Sequence, residues 1–321
     1  MDSQLSTQTY RYLGDSDLRV SSVALGCWPI AGISSLHVDD RQSTATIRAA
    51  LESGINHFDT AFSYGYDGRS DRVLRTALEG RIEQVVIATK VGIHYDVNRQ
   101  RILDASPNRL RFEVDSIRKR LGRDVLDLLY LHSPDGVTSI ESSAEAIASF
   151  VDQGIVRFVG VSNVDSEQAI RFSQVIKPIV IQPPFNMLQQ ETVESLRPFC
   201  EQYGCSIACF WPLMKGLLAG KMERDHAFDP ADRRLTYSIF QGDSWQRAQN
   251  LLDVLREISH EIHLPIATVV TSWTLKQPGI TTVLCGAKKP DQIRESAAAM
   301  SISLANEHSV RIEQAIASFR K

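Results

Sequence analysis

A chain of 321 residues is longer than the usual domain of about 100–200, yet it falls within the range of α/β barrels that fold as one unit. Its 43% hydrophobic content supplies a sizeable core and excludes a disordered chain, while 23% charged residues is ordinary for a globular protein. A formal net charge of -3 leaves no broad basic field for nucleic acid or an anionic membrane, so any phosphate has to be met by local positive charge.

Met1–Tyr10 is polar and lacks both a basic n-region and an apolar h-region, and no apolar run approaches the roughly 18 residues of a membrane span, so the expected location is the cytoplasm. Tyr10–Val20 reads as two short strands around Gly14–Asp17, a hairpin placed to plug a barrel floor. From there apolar strand and amphipathic helix alternate to the end of the chain. Strand patterns fall at Val23–Gly26, His57–Thr60, Val85–Lys90, Leu126–His132, Phe158–Asn163, Ile179–Gln182, Ile207–Trp211 and Thr282–Gly286. Helical patterns between them cover Asp40–Ser53, Arg69–Leu78, Asn108–Leu121, Ser142–Gln153, Ser166–Val175, Thr192–Tyr203 and Asp291–Ala299. Eight strands joined by helical crossovers predict a parallel sheet closed on itself, an α/β fold of the (β/α)8 TIM barrel class in one domain over residues 1–321.

Two stretches exceed a minimal barrel. Lys221 to Asp243, rich in charge, Pro and Gly, is too long for an ordinary βα loop and reads as a lid. Trp245–His263 and Ile266–Gln277 read as two helices before the eighth strand, and Asn306–Phe319 as a last one, so extra helices gather near the C-terminus. Five cysteines, Cys27, Cys200, Cys205, Cys209 and Cys285, show no CxxC spacing; reduced core filler is the expectation, with no metal site.

In such barrels the reactive groups sit at the carboxyl ends of the strands, where the βα loops converge on one mouth. Here the second strand ends in Asp59, with Tyr64 five residues on, the third in Lys90, the fourth in His132, the fifth in Ser162 and Asn163, and the sixth in Gln182. Singly, each has a plain structural reading: Asp59 as a turn cap, Lys90 as an exposed strand edge, His132 as a histidine bonded under a loop, Tyr64 as rim packing. Together, four ionisable groups at one mouth require mutual pairing or a ligand. They suit proton transfer to a carbonyl oxygen as hydride reaches its carbon. Lys90 beside the phenol would favour phenolate, Asp59 would hold Lys90 charged, and His132 could donate to the substrate oxygen. Hydride has to come from a cofactor, since no side chain carries one.

GINHFDTAFSYG, VVIATKVG, LDLLYLH, RFVGVSN, IQPPFN, FWPLMKGLLAGK and GAKKPDQI, in this order, resemble the successive motifs of the aldo-keto reductase superfamily, and the likeness runs from Leu25 and Gly26 to the last helices. It is nearest to bacterial general-stress aldo-keto reductases and aldose dehydrogenase branches. The resemblance implies a catalytic tetrad of Asp59, Tyr64, Lys90 and His132, with Tyr64 the general acid/base. It implies Ser162, Asn163 and Gln182 at the nicotinamide carboxamide and Phe210 stacked on the ring. Phe210, Trp211, Pro212, Leu213, Met214 and Lys215 correspond to a pyrophosphate loop, and Gly286, Ala287, Lys288 and Gln292 to the adenosine-phosphate site. Gly26, Cys27 and Trp28 would border nicotinamide and substrate. Phe210 stands where Tyr is frequent, Lys288 where Arg is frequent, and Ser296 where Asn is frequent. Lys215, Lys288 and Lys289 favour NADP (NADPH) over NAD as cofactor.

The resemblance thus implies an NADP-dependent reductase of aldehydes or ketones, or the same catalyst run as an alcohol or aldose dehydrogenase, acting as a monomer or weak homo-oligomer on a small carbonyl or sugar. Trp28, Tyr64, His94, His132 and Trp211, with Tyr66, are the candidate substrate contacts. Two other classes stay in play. One is a non-catalytic NADP-binding redox sensor or channel-associated subunit on the same barrel. The other is a metal-dependent hydrolase using His57, His94 and His132 with Asp59, against which stands Lys90, where a cation would be repelled.

Overall fold

The computed structural model describes residues 9–33, 38–230 and 232–320. Residues 1–8 of the polar opening segment therefore lie outside the described residues. Strands β1 (Tyr10–Tyr12) and β2 (Arg19–Ser21) pair antiparallel, as the sequence predicts. Leu13, Leu18 and Val20 of this hairpin are buried in one cluster with Val86, Ala88, Leu128, Tyr130, Val180 and Ala208. The hairpin is the floor of the barrel.

The chain then runs through β3 (Val23–Gly26), α1 (Asp40–Glu52), β4 (His57–Asp59), α2 (Arg69–Ala77) and β5 (Val86–Val91). A second small hairpin follows, β6 (Ile93–Tyr95) with β7 (Arg101–Leu103), before α3 (Pro107–Leu121) and β8 (Leu126–Leu131). Next come α4 (Ile140–Asp152), β9 (Val156–Ser162), α5 (Ser166–Ser173), β10 (Val180–Gln182), α6 (Glu191–Tyr203) and β11 (Ser206–Phe210). The last part holds α7 (Gly242–Glu261), α8 (Ile266–Leu275), β12 (Ile280–Gly286), α9 (Pro290–Ala297) and α10 (Asn306–Phe319). Parallel pairing in the order β3, β4, β5, β8, β9, β10, β11, β12 returns to β3 and closes the barrel. The fold is the expected (β/α)8 TIM barrel, with an N-terminal hairpin and added C-terminal helices.

Local chemistry sets the helix starts. Asp39 accepts from the Gln42 N–H at the head of α1, Asp165 and Gln168 cap each other at α5, and Pro107 and Pro290 occupy the first turns of α3 and α9. Period-two alternation sorts the strands into an inner and an outer face. On β5, Val86 and Ala88 face the axis and Ile87 the helices; on β8, Leu128 and Tyr130 face in and Leu129 and Leu131 out. The outer residues join one continuous core that runs from Val23 to Ile316. Gly160 on β9 makes the interior possible, because a Cβ there would lie 2.5 Å from the Tyr130 ring.

The 221–243 stretch, expected to be a lid, is stitched down where it is described. Trp245 Nε1 donates to the Arg224 carbonyl, Gln249 Nε2 donates to that of Met222, and Phe228 packs edge-on against Phe240 and Trp245. Among the described residues no helix is long and apolar enough to cross a membrane.

Candidate active site

Parity delivers Asp59, Lys90 and Gln182 to the barrel axis, since each lies two residues beyond an inward position on its strand: His57, Ala88 and Val180. Lys90 Nζ donates to Asp59 Oδ1 at 2.5 Å, to the Thr60 carbonyl at 2.9 Å and to the Tyr64 hydroxyl at 3.2 Å. The other Asp59 oxygen accepts from Gln182 Nε2 at 2.9 Å. Asp59 and Lys90 are almost wholly buried, so the pair is shielded from water and salt. Burial works against the Lys90 ammonium, but Asp59 and Tyr64 together outweigh it and hold its pKa above the ordinary lysine value.

Tyr64 sits on the loop after β4. Thr60 Oγ1 donates to Asp71 Oδ1 and shares a hydrogen bond with Ser70, and the Ser70 N–H bonds the Tyr64 carbonyl, which fastens the loop to the start of α2. The phenol does not follow the direction expected from the sequence. Burial pushes it up to about 12, and the pull of Lys90 toward phenolate only partly offsets this. His132 stands edge-on to Tyr64 at 6.0 Å between rings; burial, then Lys90, then Arg101 hold its pKa well below the usual histidine value, so the imidazole is neutral. Among the described residues its buried Nδ1 has no hydrogen-bond partner. Trp28 meets the other side of Tyr64 edge-on at 5.2 Å.

Around this centre, Asn163 Nδ2 donates to the His132 carbonyl and the Ser162 hydroxyl donates to the Gln182 carbonyl. Phe210 ends β11 with its ring 5.1 Å from that of Trp211. Trp211, Met214 and Lys215 all adopt positive φ, an unusual run for residues with side chains that turns the backbone sharply after β11. Pro212 and Met214 are buried and Leu213 packs on the core, so these three offer a ligand mainly backbone. Lys215 Nζ lies over Trp211 at 3.6 Å and over Tyr237 at 4.2 Å. After β12, Gly286 packs against Pro29, Ala287 is buried, and the Gln292 side chain accepts from the Lys288 and Lys289 N–H groups at the head of α9. Cys27 points its thiol into the core, and its N–H bonds the Asp59 carbonyl.

Two sequence candidates stand apart from the tetrad. His94 Nδ1 lies 3.8 Å from Glu113 of α3, and His57 is fully buried, with both ring nitrogens unpartnered among the described residues and its pKa pushed down to about 3 by burial and by Lys90. Among the described residues no three His, Cys, Asp or Glu side chains gather as a metal site would require. Sequence reasoning missed Tyr130, fully buried beneath Asp59 and Gln182, although its place two residues before His132 marks the inner face. It also missed Asp232 and Arg234, which pair at 2.5 Å, and whose charges act on Lys288. Nothing in their local pattern separates them from solvated surface.

The family model for the aldo/keto reductase family matches residues 22–317. The chain belongs to this family. It is therefore an oxidoreductase acting on carbonyl compounds, and the comparisons with individual relatives agree. It is 35% identical to aldo-keto reductase YhdN of Bacillus subtilis over 88% of this chain and 86% of that one. It is 31% identical to the NADH-specific methylglyoxal reductase of Escherichia coli over 92% and 94% respectively. The solved glycerol dehydrogenase AKR11B4 from Gluconobacter oxydans superposes on this aldo-keto reductase with a TM-score of 0.89 at 31% identity, covering 98% of this chain and 96% of that one.

Proposed function

We propose that this protein is an NADP-dependent reductase of aldehydes and ketones, able to run in reverse on the corresponding alcohol or aldose, with Tyr64 as general acid/base. The observation that carries the reading is the buried chain of contacts from Gln182 through Asp59 and Lys90 to the Tyr64 hydroxyl. Such a chain has no need of a phenol at its end for stability alone; it suits a proton donor held at a fixed point.

A nicotinamide, when bound, supplies the hydride. The residues fit such a group: Lys288 and the neighbouring Lys289 offer charge for a phosphate, the positive-φ turn at Trp211, Met214 and Lys215 exposes backbone, and Phe210 supplies a ring. Ser162, Asn163 and Gln182 would hold its carboxamide, and Gly26, Cys27 and Trp28 would line the approach. The protein's own part is the proton. Tyr64, protonated because it is buried, gives its hydroxyl proton to the carbonyl oxygen as the carbon is reduced, and Lys90 stabilises the phenolate left behind. His132, kept neutral, orients that oxygen, and Trp28 and Trp211 form apolar walls. Preference for NADP rests on local positive charge, and the NADH-specific relative makes it the part of the reading to test first.

Fluorescence titration of the purified protein with NADPH and, separately, NADH, followed by a screen against aldehydes and aldoses, tests the reading. Tighter NADPH binding with turnover is expected. Tighter NADH binding would reverse the cofactor preference, binding without turnover would point to a sensor, and binding of neither would undo the proposal.

A further inference from the structure

We propose that Tyr237 is a positioning residue of the cofactor site: with Trp211 it cages the Lys215 ammonium between two ring faces, and so holds an unneutralised positive charge ready for the pyrophosphate that NADPH and NADH share. The proposal rests on the reductase reading above. It gives the 221–243 stretch, expected to be a lid, the task of a fixed wall.

Lys215 Nζ stands 3.6 Å from the centre of the Trp211 ring and 4.2 Å from that of Tyr237. Trp211 follows β11 directly, whereas Tyr237 comes from the far end of the segment, just after a short 3-10 turn, Arg233–Thr236. Both rings rest on anchored backbone. On one side Lys215 at φ 54° and Gly216 at φ 90° fix the turn from which the lysine stem leaves. On the other, the Tyr237 N–H donates to the Arg234 carbonyl at 3.0 Å, and the Tyr237 carbonyl accepts from the Phe240 N–H at 3.1 Å. Phe240 is buried against Phe228 and Trp245. Arg234 is held in turn by Asp232 and by the Met222 sulfur at 3.3 Å, and lies 5.3 Å over the Phe228 ring. The wall that carries Tyr237 is thus built into the body of the protein.

A lysine can be fixed by a carboxylate or by the faces of aromatic rings, and the two differ in what they leave behind. A carboxylate cancels the charge, whereas a ring carries no net charge and leaves the cation whole for an anion. Among the described residues no carboxylate pairs with Lys215, and Asp232, the acid of the neighbouring turn, is taken by Arg234. Burial lowers the Lys215 pKa, Tyr237 counters it, and Arg233 adds to the fall. Trp211 and Tyr237 are both exposed, so the stack contributes little to folding. Its gain lies in binding, because a side chain ordered beforehand loses less freedom when a ligand arrives. Lys288 and Lys289 stand on another loop, between β12 and α9, which leaves Lys215 and the positive-φ backbone beside it to the phosphates common to both cofactors.

The test is a set of equilibrium titrations with NADPH and with NADH, followed by fluorescence, on the full chain and its variants. Tyr237→Leu should raise both Kd values by the same factor, about fivefold or more, with the midpoint of urea unfolding close to that of the parent. Tyr237→Phe, which keeps the ring, should stay within about twofold of the parent. Lys215→Met should weaken both cofactors too, and adding Tyr237→Leu to it should cost nothing further, since the ring acts only through the ammonium. Unchanged or tighter binding in Tyr237→Leu, a loss confined to NADPH, a loss in Tyr237→Phe as large as in Tyr237→Leu, or a full further loss in the Lys215→Met background would overturn the proposal while the reductase reading stood. Binding of neither cofactor by the parent protein would sink both.

Discussion

Asp59 has both carboxylate oxygens engaged, one by Lys90 and one by Gln182, so the single free function in the buried group is the Tyr64 hydroxyl. Tyr64→Phe keeps the ring against Trp28 and His132 and removes only the proton. Turnover should fall by at least ~100-fold with cofactor affinity nearly unchanged, and a fully active variant would remove Tyr64 from its role. With the phenol pushed up to about 12, the acid stays loaded through the neutral range, so kcat/KM for reduction measured from about pH 6 to 9 should show no fall from Tyr64 ionisation. Asp71 governs a different pH effect. It is fully buried beneath the Tyr64 loop, and burial pushes its carboxyl up to about 7, against the pull of Thr60 and of Arg120 at 3.6 Å. Because the folded value stands above the ordinary carboxylate value of about 4, folding takes up a proton between the two; this contribution to stability is whole below about pH 4 and is lost as pH rises through about 7. Asp71→Asn does not titrate, so its melting temperature should gain on the parent as pH goes from 5 to 8. The opposite slope would mean that Arg120 keeps the carboxylate ionised.

At the scale of elements, the barrel strands were legible because each is a short apolar run, with a polar residue at the mouth end of the second to the sixth, and the alternation on β5 and β8 predicts which side chains face inward. Helix starts were less so. α4 begins at Ile140, two residues before the apolar pattern announces it, because the Ser139 hydroxyl accepts from the Ser142 N–H and satisfies the first turn. The hairpin of β6 and β7 was invisible, since β7 is exposed on both faces and carries no alternation to read. The floor hairpin was readable from its Gly14–Asp17 turn, and its burial makes a direct test. Leu18→Ala should cost about 2–5 kcal/mol in urea unfolding while leaving kcat/KM close to the parent value. An equal loss of activity would show that floor and mouth are mechanically coupled.

Over the whole molecule, the floor keeps the barrel shut and the opposite mouth carries the proposed chemistry. The polar groups of that chemistry were legible as a set of unlikely strand ends, whereas the fields acting on them were not. The rise of the Tyr64 pKa depends on how deeply the assembled loops bury it, which no local pattern reveals. The floor has one more consequence. Arg11 donates to the Ile280 carbonyl at 2.9 Å, and the Gly14 N–H donates to Ser206 Oγ at 2.7 Å. These hydrogen bonds of the hairpin therefore close only once β11 and β12 exist, which ties the first strands to the last ones of the barrel and gives the fold a high contact order.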